Sequence, residues 1–203
     1  HHDDNGVPYI TIPLGVLISK DTLITITLHK NEIISNIMSL ITLNKADVKN
    51  KSNFLINLFL ISSTWYLKYL KQINFQTNVI EQDLEKSTKN EELHRLLKME
   101  KCLVYFITSL KSNDILLTKL KNFKFHNLGE YDEDLLEDAM IENKQAVDVA
   151  NIYSDILSGM MDAFASVISN NLNIIMKQLT SITILLMIPT LIASLFGMNI
   201  PNH

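Results

Sequence analysis

Carboxylates, amides and hydroxyls recur toward the C-terminus of this chain at the spacing of a helix seam. Reading back from Ser194 in alternating steps of four and three residues picks out Thr190, Met187, Thr183, Thr180, Met176 and Asn173. The same stepping continues through Ser169, Ser166, Asp162, Gly159 and Asp155, then Ile152, Asp148, Gln145, Ile141 and Asp138. Positions so spaced share one face of an α-helix, and a packing seam would carry Leu or Ile at most of them. This one is mostly polar, and two kinds of chemistry suit it. In the plainer, the hydroxyls hold a neighbouring helix and the aspartates form a solvated face. In the sharper, several copies of the helix surround a water-filled path. Asp148, Asp155 and Asp162 then form stacked acidic rings that concentrate cations, Asn173 follows at the narrow end of the funnel, and Met176 and Met187 supply apolar constrictions of the kind that gate by dewetting. One helix cannot enclose a path, so the sharper reading requires an oligomer.

The element that carries the seam is read from charge. Residues 178–200 contain no charged side chain, and a helix of that length crosses a bilayer core of roughly 30 Å. A single buried helix of a soluble protein usually keeps a charged face, which this span lacks. Upstream, no Pro or Gly is strong enough to stop a helix from Asp132 to Gly197; Gly159 costs it about 1 kcal/mol, and Pro189 kinks it, as membrane helices tolerate. At 1.5 Å per residue, residues 132–196 would span roughly 100 Å, so the reading is a stalk that enters a lipid bilayer. Lys177 marks the entry point, and a basic residue there is expected on the cytoplasmic side.

Before the stalk, residues 9–19 and 22–29 are two short β-branched runs split by Lys20-Asp21. Ile24, Ile26 and Leu28 alternate with Thr25, Thr27 and His29, the period of a half-buried strand. Two strands alone are marginal, so they are expected either to join a sheet from another chain or to follow a preceding half-domain, the second being favoured. Asn31 caps a short helix to about Ile41. Ser52 or Asn53 opens a long periodic segment to about Ser87, and Asn90 with Glu91 and Glu92 starts another to about Phe123, since carboxylates favour the positive end of a helix dipole. The pair reads as an antiparallel α-hairpin. The expected class is α+β, mostly α. Its expected parts are a partial two-stranded domain over 1–30, a helical hairpin region over 31–130, a stalk over 131–177, a transmembrane helix over 178–196 and a loop over 197–203.

Composition excludes other classes. The chain has 203 residues, net charge −4 and one arginine, Arg95, among 18 basic side chains. Guanidinium is the usual tool for phosphate and base recognition, so no nucleic-acid partner is expected. One cysteine, Cys102, excludes an internal disulfide framework and a multi-Cys zinc site. The first six residues have no apolar core and are not expected to be a signal peptide. His29, His94 and His126 lack neighbours at ligand spacing, and Ser158-Gly159 lacks the flanking residues of a nucleophile elbow. Nothing looks catalytic.

The uncharged span ends in Gly197-Met198-Asn199, with Pro189, Thr190, Asn173, Met176-Lys177 and Leu179-Thr180 upstream. A tripeptide alone is weak, but its place after a long stalk and an uncharged span makes it specific. Together these residues resemble the first transmembrane helix of the CorA-type divalent-cation channels, whose hallmark is Gly-Met-Asn after that helix. The likeness extends over Asp155-Ile156-Leu157-Ser158-Gly159-Met160-Met161-Asp162 and more loosely over the hairpin. It implies a homopentamer in the cell membrane, multi-pass, with its N-terminal domain cytoplasmic, carrying Mg²⁺ into the cell. Gly197, Met198 and Asn199 would form the outer selectivity ring, Asn173 would line the inner path and Asp162 would sit at the funnel. Met176, Thr180, Thr183, Met187, Thr190 and Ser194 would line the pore, and Asp138 would help hold a regulatory Mg²⁺ between neighbouring cytoplasmic domains. Mg²⁺ sheds its water reluctantly and prefers octahedral oxygen ligation; a ring of neutral amides accepts hydrogen bonds from that water without stripping it.

The sequence departs from the family pattern in three ways. A second transmembrane helix and about a third of a full protein at the N-terminus lie outside it, so it is expected to be a piece of a longer chain. The loop continues as Ile200-Pro201-Asn202-His203, without the acids many members carry. Pro189 also sits one position from its place in some members. A same-family carrier of Zn²⁺, Co²⁺ or Ni²⁺ is the alternative reading, and a membrane-anchored coiled-coil scaffold is the alternative of another class; an enzyme is a distant third.

Overall fold

The computed structural model describes residues 6–20, 22–29, 32–43, 50–86, 90–122 and 130–197. It is mostly helical with a small sheet: β1 (Leu14–Ile18), β2 (Leu23–Thr27), α1 (Glu32–Thr42), α2 (Lys51–Lys86), α3 (Asn90–Asn122) and α4 (Glu130–Gly197). By contacts the chain divides into two compact units, His1–Ser158 and Gly159–His203.

In the first unit β1 and β2 pair antiparallel, from Leu14 opposite Thr27 to Ile18 opposite Leu23. Leu14, Val16 and Leu23 pack on Ile37 of α1 and on Phe54 and Leu58 of α2. Strand alternation then turns the other face outward, leaving Ile24 and Ile26 49% and 54% exposed. The apolar face of the alternating pattern is therefore the uncovered one. The first β-branched run is longer in sequence than β1, because Pro8 and Pro13 cannot donate to a ladder. Residues 6–13 lie along the helices instead: Val7 is buried, the Tyr9 hydroxyl donates to Gln72 Oε1 at 3.0 Å, and Ser109 donates to the Thr11 hydroxyl at 2.9 Å. Gly6 starts this segment at φ 70°, where a side chain would be strained and would also meet the Lys98 ammonium.

The hairpin core follows a heptad rule on α3, where Leu96, Leu103, Leu110 and Leu117 are fully buried, as are Leu70, Ile73, Ile80 and Leu84 on α2. Tyr66 meets Phe106 edge-on at 5.1 Å, and Asp83 meets Arg95 at 3.6 Å, so the two helices run antiparallel. The start of α2 lies slightly earlier than Ser52 or Asn53: the Asn50 side chain accepts from the Asn53 backbone N–H at 3.2 Å, the geometry of an N-cap. Asn31, expected as the cap of α1, and the Lys20-Asp21 break at Asp21 lie outside the described residues.

Within this unit α4 buries Asp132, Leu136, Ala139, Asn143, Ala146, Ala150 and Leu157. Leu136 and Ala139 join Ile56 of α2 and Leu117 of α3 in one cluster. The remainder of α4, from Gly159, is helix throughout, with Pro189 inside it. It is long and apolar enough to cross a membrane, with a window of mean hydropathy 2.1, none of it buried.

Candidate ion path and polar seam

Two stripes run along the first half of α4. The buried one carries mainly small and apolar side chains. The seam positions Asp138, Ile141, Gln145, Asp148, Ile152 and Asp155 all lie on the exposed side. At 100° per residue, Ile141 stands about 160° from Ala139 and from Asn143, so packing on the hairpin turns the seam away from it. Farther along, Asp162, Asn173, Met176, Thr180, Thr183, Met187, Thr190 and Ser194 are exposed as well, Met176 by 58% and Met187 by 65%.

The hydroxyls on this face share a geometry that sequence spacing did not reveal. Thr180 donates to the Met176 carbonyl at 2.8 Å, Thr183 to Leu179 at 2.8 Å and Thr190 to Leu186 at 2.7 Å. Ser166 does the same to Asp162 at 3.0 Å. Each spends its proton on the helix, as an i−4 back-bond does, and keeps its oxygen lone pairs as acceptors. A face of acceptors suits a cation or the water around one, because coordinated water donates hydrogen bonds.

The single chain brings none of the seam residues together; they follow one another along one helix, with Asp148 and Asp155 separated by about 10 Å of rise. Among the described residues no three His, Cys, Asp or Glu side chains converge to hold a metal ion. Asp138 offers one exposed carboxylate, an oxygen donor of the type hard cations prefer. Gly197 ends α4 with open space around the position of a Cβ. Met198 and Asn199 lie outside the described residues, as does His126.

Two features leave no signal in the sequence. Asp132, buried at the start of α4, accepts from Asn50 Nδ2 at 2.5 Å and from Asn53 Nδ2 at 2.9 Å, and Asn57 donates on to Asn53 Oδ1 at 2.9 Å. Its position within a run of seven acids at 130–142 gave no sign that one of them turns inward. The second is a cleft of about 1580 Å³ walled by Tyr9, Trp65, Tyr66, Tyr69 and Phe106, with no contribution from α4. Only the fold gathers residues so scattered. Burial pushes the phenols of Tyr66 and Tyr69 upward, and likewise the Cys102 thiol.

A helical hairpin unit, and a long helix with a stretch apolar enough to cross a membrane, fit the class of membrane-associated proteins. The family model for CorA-like Mg²⁺ transporter protein matches residues 1–203, and the chain belongs to that family. The cobalt/magnesium transport protein CorA of Methanocaldococcus jannaschii is 29% identical over 192 residues, 93% of this chain and 61% of that protein. The protein of the same name from Thermotoga maritima is 26% identical over 134 residues, 66% of this chain and 38% of its own length. The chain therefore spans about three fifths of the first relative and less of the second. In fold, it superposes on the complete structure of the M. jannaschii CorA magnesium transporter with a TM-score of 0.76 at 24% identity, over 99% of this chain and 71% of that one.

Proposed function

We propose that the protein containing this chain is a divalent-cation channel of the cell membrane rather than an enzyme, a homopentamer with Mg²⁺ as both cargo and regulatory ion. The observation that carries this reading is the seam on α4 in the first unit: Asp138, Gln145, Asp148 and Asp155 stay exposed, opposite the stripe that packs on the hairpin, and the same stepping carries acceptor side chains on to Ser194 in the sequence. In the assembled channel Asp148, Asp155 and Asp162 concentrate cations, Asn173 and the back-bonded threonines pass the hydrated ion, and Met176 and Met187 narrow the path. Gly197, Met198 and Asn199 form the ring that selects a hydrated ion through amide and carbonyl oxygens. The N-terminal unit faces the cytoplasm, and the intact protein crosses the bilayer more than once. Zn²⁺, Co²⁺ or Ni²⁺ as cargo is the second reading, and of these only Co²⁺ has support in the cobalt/magnesium names of the relatives. A coiled-coil scaffold fits less well, because its seam would be apolar.

The test is Asn199→Ala in the full-length protein, expressed in a cell deficient in Mg²⁺ uptake. Uptake is expected to fall to background while membrane expression and assembly stay at the parent level. Uptake at the parent rate would place the selectivity ring elsewhere. Competition by Co²⁺, Ni²⁺ and Zn²⁺ in the same cells separates the two cargo readings.

A further inference from the structure

On the α4 stripe that faces the hairpin, Ala139, Ala146 and Ala150 are fully buried, and Asn143 among them is 0% exposed. Its Nδ2 donates to the Leu110 carbonyl of α3 at 3.1 Å, and its Oδ1 is buried with no hydrogen-bond partner. Among the described residues this is the one polar tie between α3 and α4; the Asp132 ties reach α2. Leu136 and Leu157 lie toward the ends of this stripe, but the alanines on either side of Asn143 have no shape with which to fix one axial or rotational setting, whereas a hydrogen bond to one named carbonyl does. An asparagine at a core position of a heptad is the best-attested device of this kind, specifying register while lowering stability. The orphaned Oδ1 is the mark of that trade: the site is less stable than an apolar side chain would make it.

We infer that Asn143 is a positioning residue that sets the register and rotation of α4 on α3, and thereby aims the outward seam through Asp138, Gln145 and Asp148. The inference rests on packing alone and stands whether or not the protein transports Mg²⁺.

Full-length protein carrying Cys102→Ala, Lys101→Cys and Ser158→Cys, spin-labelled and diluted with unlabelled protein so that pairs within one chain dominate, reads the setting as a distance distribution. The parent residue at 143 should give one narrow distance. Asn143→Leu should split or widen that distribution by up to about 5 Å, the rise of one helical turn, with an unfolding midpoint equal to or above the parent's. Asn143→Ala matches its neighbouring alanines and cannot overpack, so it guards against a leucine that fails to fold and should widen the distribution in the same way. A single distance of parent width in Asn143→Ala would overturn the inference and leave Asn143 a packing residue.

Discussion

Burial holds the Tyr66 phenol above its ordinary value of about 10, against the smaller opposing effect of a hydrogen bond with Ser109. Below pH 10 both the folded and unfolded chains keep this proton, and stability does not depend on it. Above pH 10 the unfolded chain releases the proton first, so it binds fewer protons than the native state, and stability falls as pH rises. Tyr9 and Tyr69, also pushed upward chiefly by burial, act in the same direction. Cys102, whose thiol is also pushed upward by burial, adds a loss that begins where a free thiol ionises, about pH 8.5. Denaturant midpoints should therefore fall gently from there and more steeply beyond about 10, with the steeper part shallower in Tyr66→Phe. An equal slope in both proteins would show that the ring titrates as if exposed. At this scale the sequence exposed the seam through spacing alone, since Asp, Asn and Thr at heptad positions are visible without coordinates. The direction of each threonine proton was not visible, because it depends on a rotamer and on the carbonyl one turn back.

The two stripes of α4 show what periodicity reveals and what it hides. The helix bounds fall within about two residues of those expected, because polar breaks and apolar repeats bracket each helix. The stripe that holds α4 to the hairpin is hidden in the sequence, because Asp132, Ala139, Asn143, Ala146 and Ala150 do not read as a hydrophobic face. Its first member is a carboxylate in the opening turn of α4 that also receives two amide protons from the first turns of α2. Asp132→Ala removes the carboxylate that accepts from the half-buried Asn50 amide and the buried Asn53 amide, and removes a negative charge near two positive helix ends. A loss of about 1–3 kcal/mol in unfolding free energy is expected, measured by denaturant titration of the full-length protein. A loss below about 0.5 kcal/mol, the level of an ordinary surface change, would mean that water replaces the carboxylate without cost.

For the whole molecule, the proposed path exists only in an oligomer, so mass measurement of the full-length protein in detergent should return five copies. A monomer or dimer would remove the path, since too few helices remain to enclose water. Regulation is argued at the same level. Asp138 lies two turns beyond the first residue of α4, Glu130, and a dipole effect fades within the first turn, so its exposed carboxylate does little for the helix itself. If it shares a Mg²⁺ with a neighbouring copy, Asp138→Ala should conduct at internal Mg²⁺ levels that close the parent, with unchanged ion selectivity. Patch-clamp currents at graded internal Mg²⁺ check this, and an inhibition curve identical to the parent's would remove Asp138 from regulation. The uncovered Ile24 and Ile26 face was half-legible: alternation announced a two-sided strand, while the choice of buried side is made by α1 and α2.

The back-bonded hydroxyls carry one more consequence for the proposed path. A proton moves along a chain of hydroxyls only when each accepts one proton while handing on its own. Thr180, Thr183 and Thr190 keep theirs on the Met176, Leu179 and Leu186 carbonyls of their own helix. They can receive a hydrogen bond from passing water, but while so bonded they have none to hand on. A lining of this kind is hospitable to a hydrated metal ion and a poor proton wire, so the same side chains that welcome the cation would help keep the membrane's proton gradient from leaking beside it.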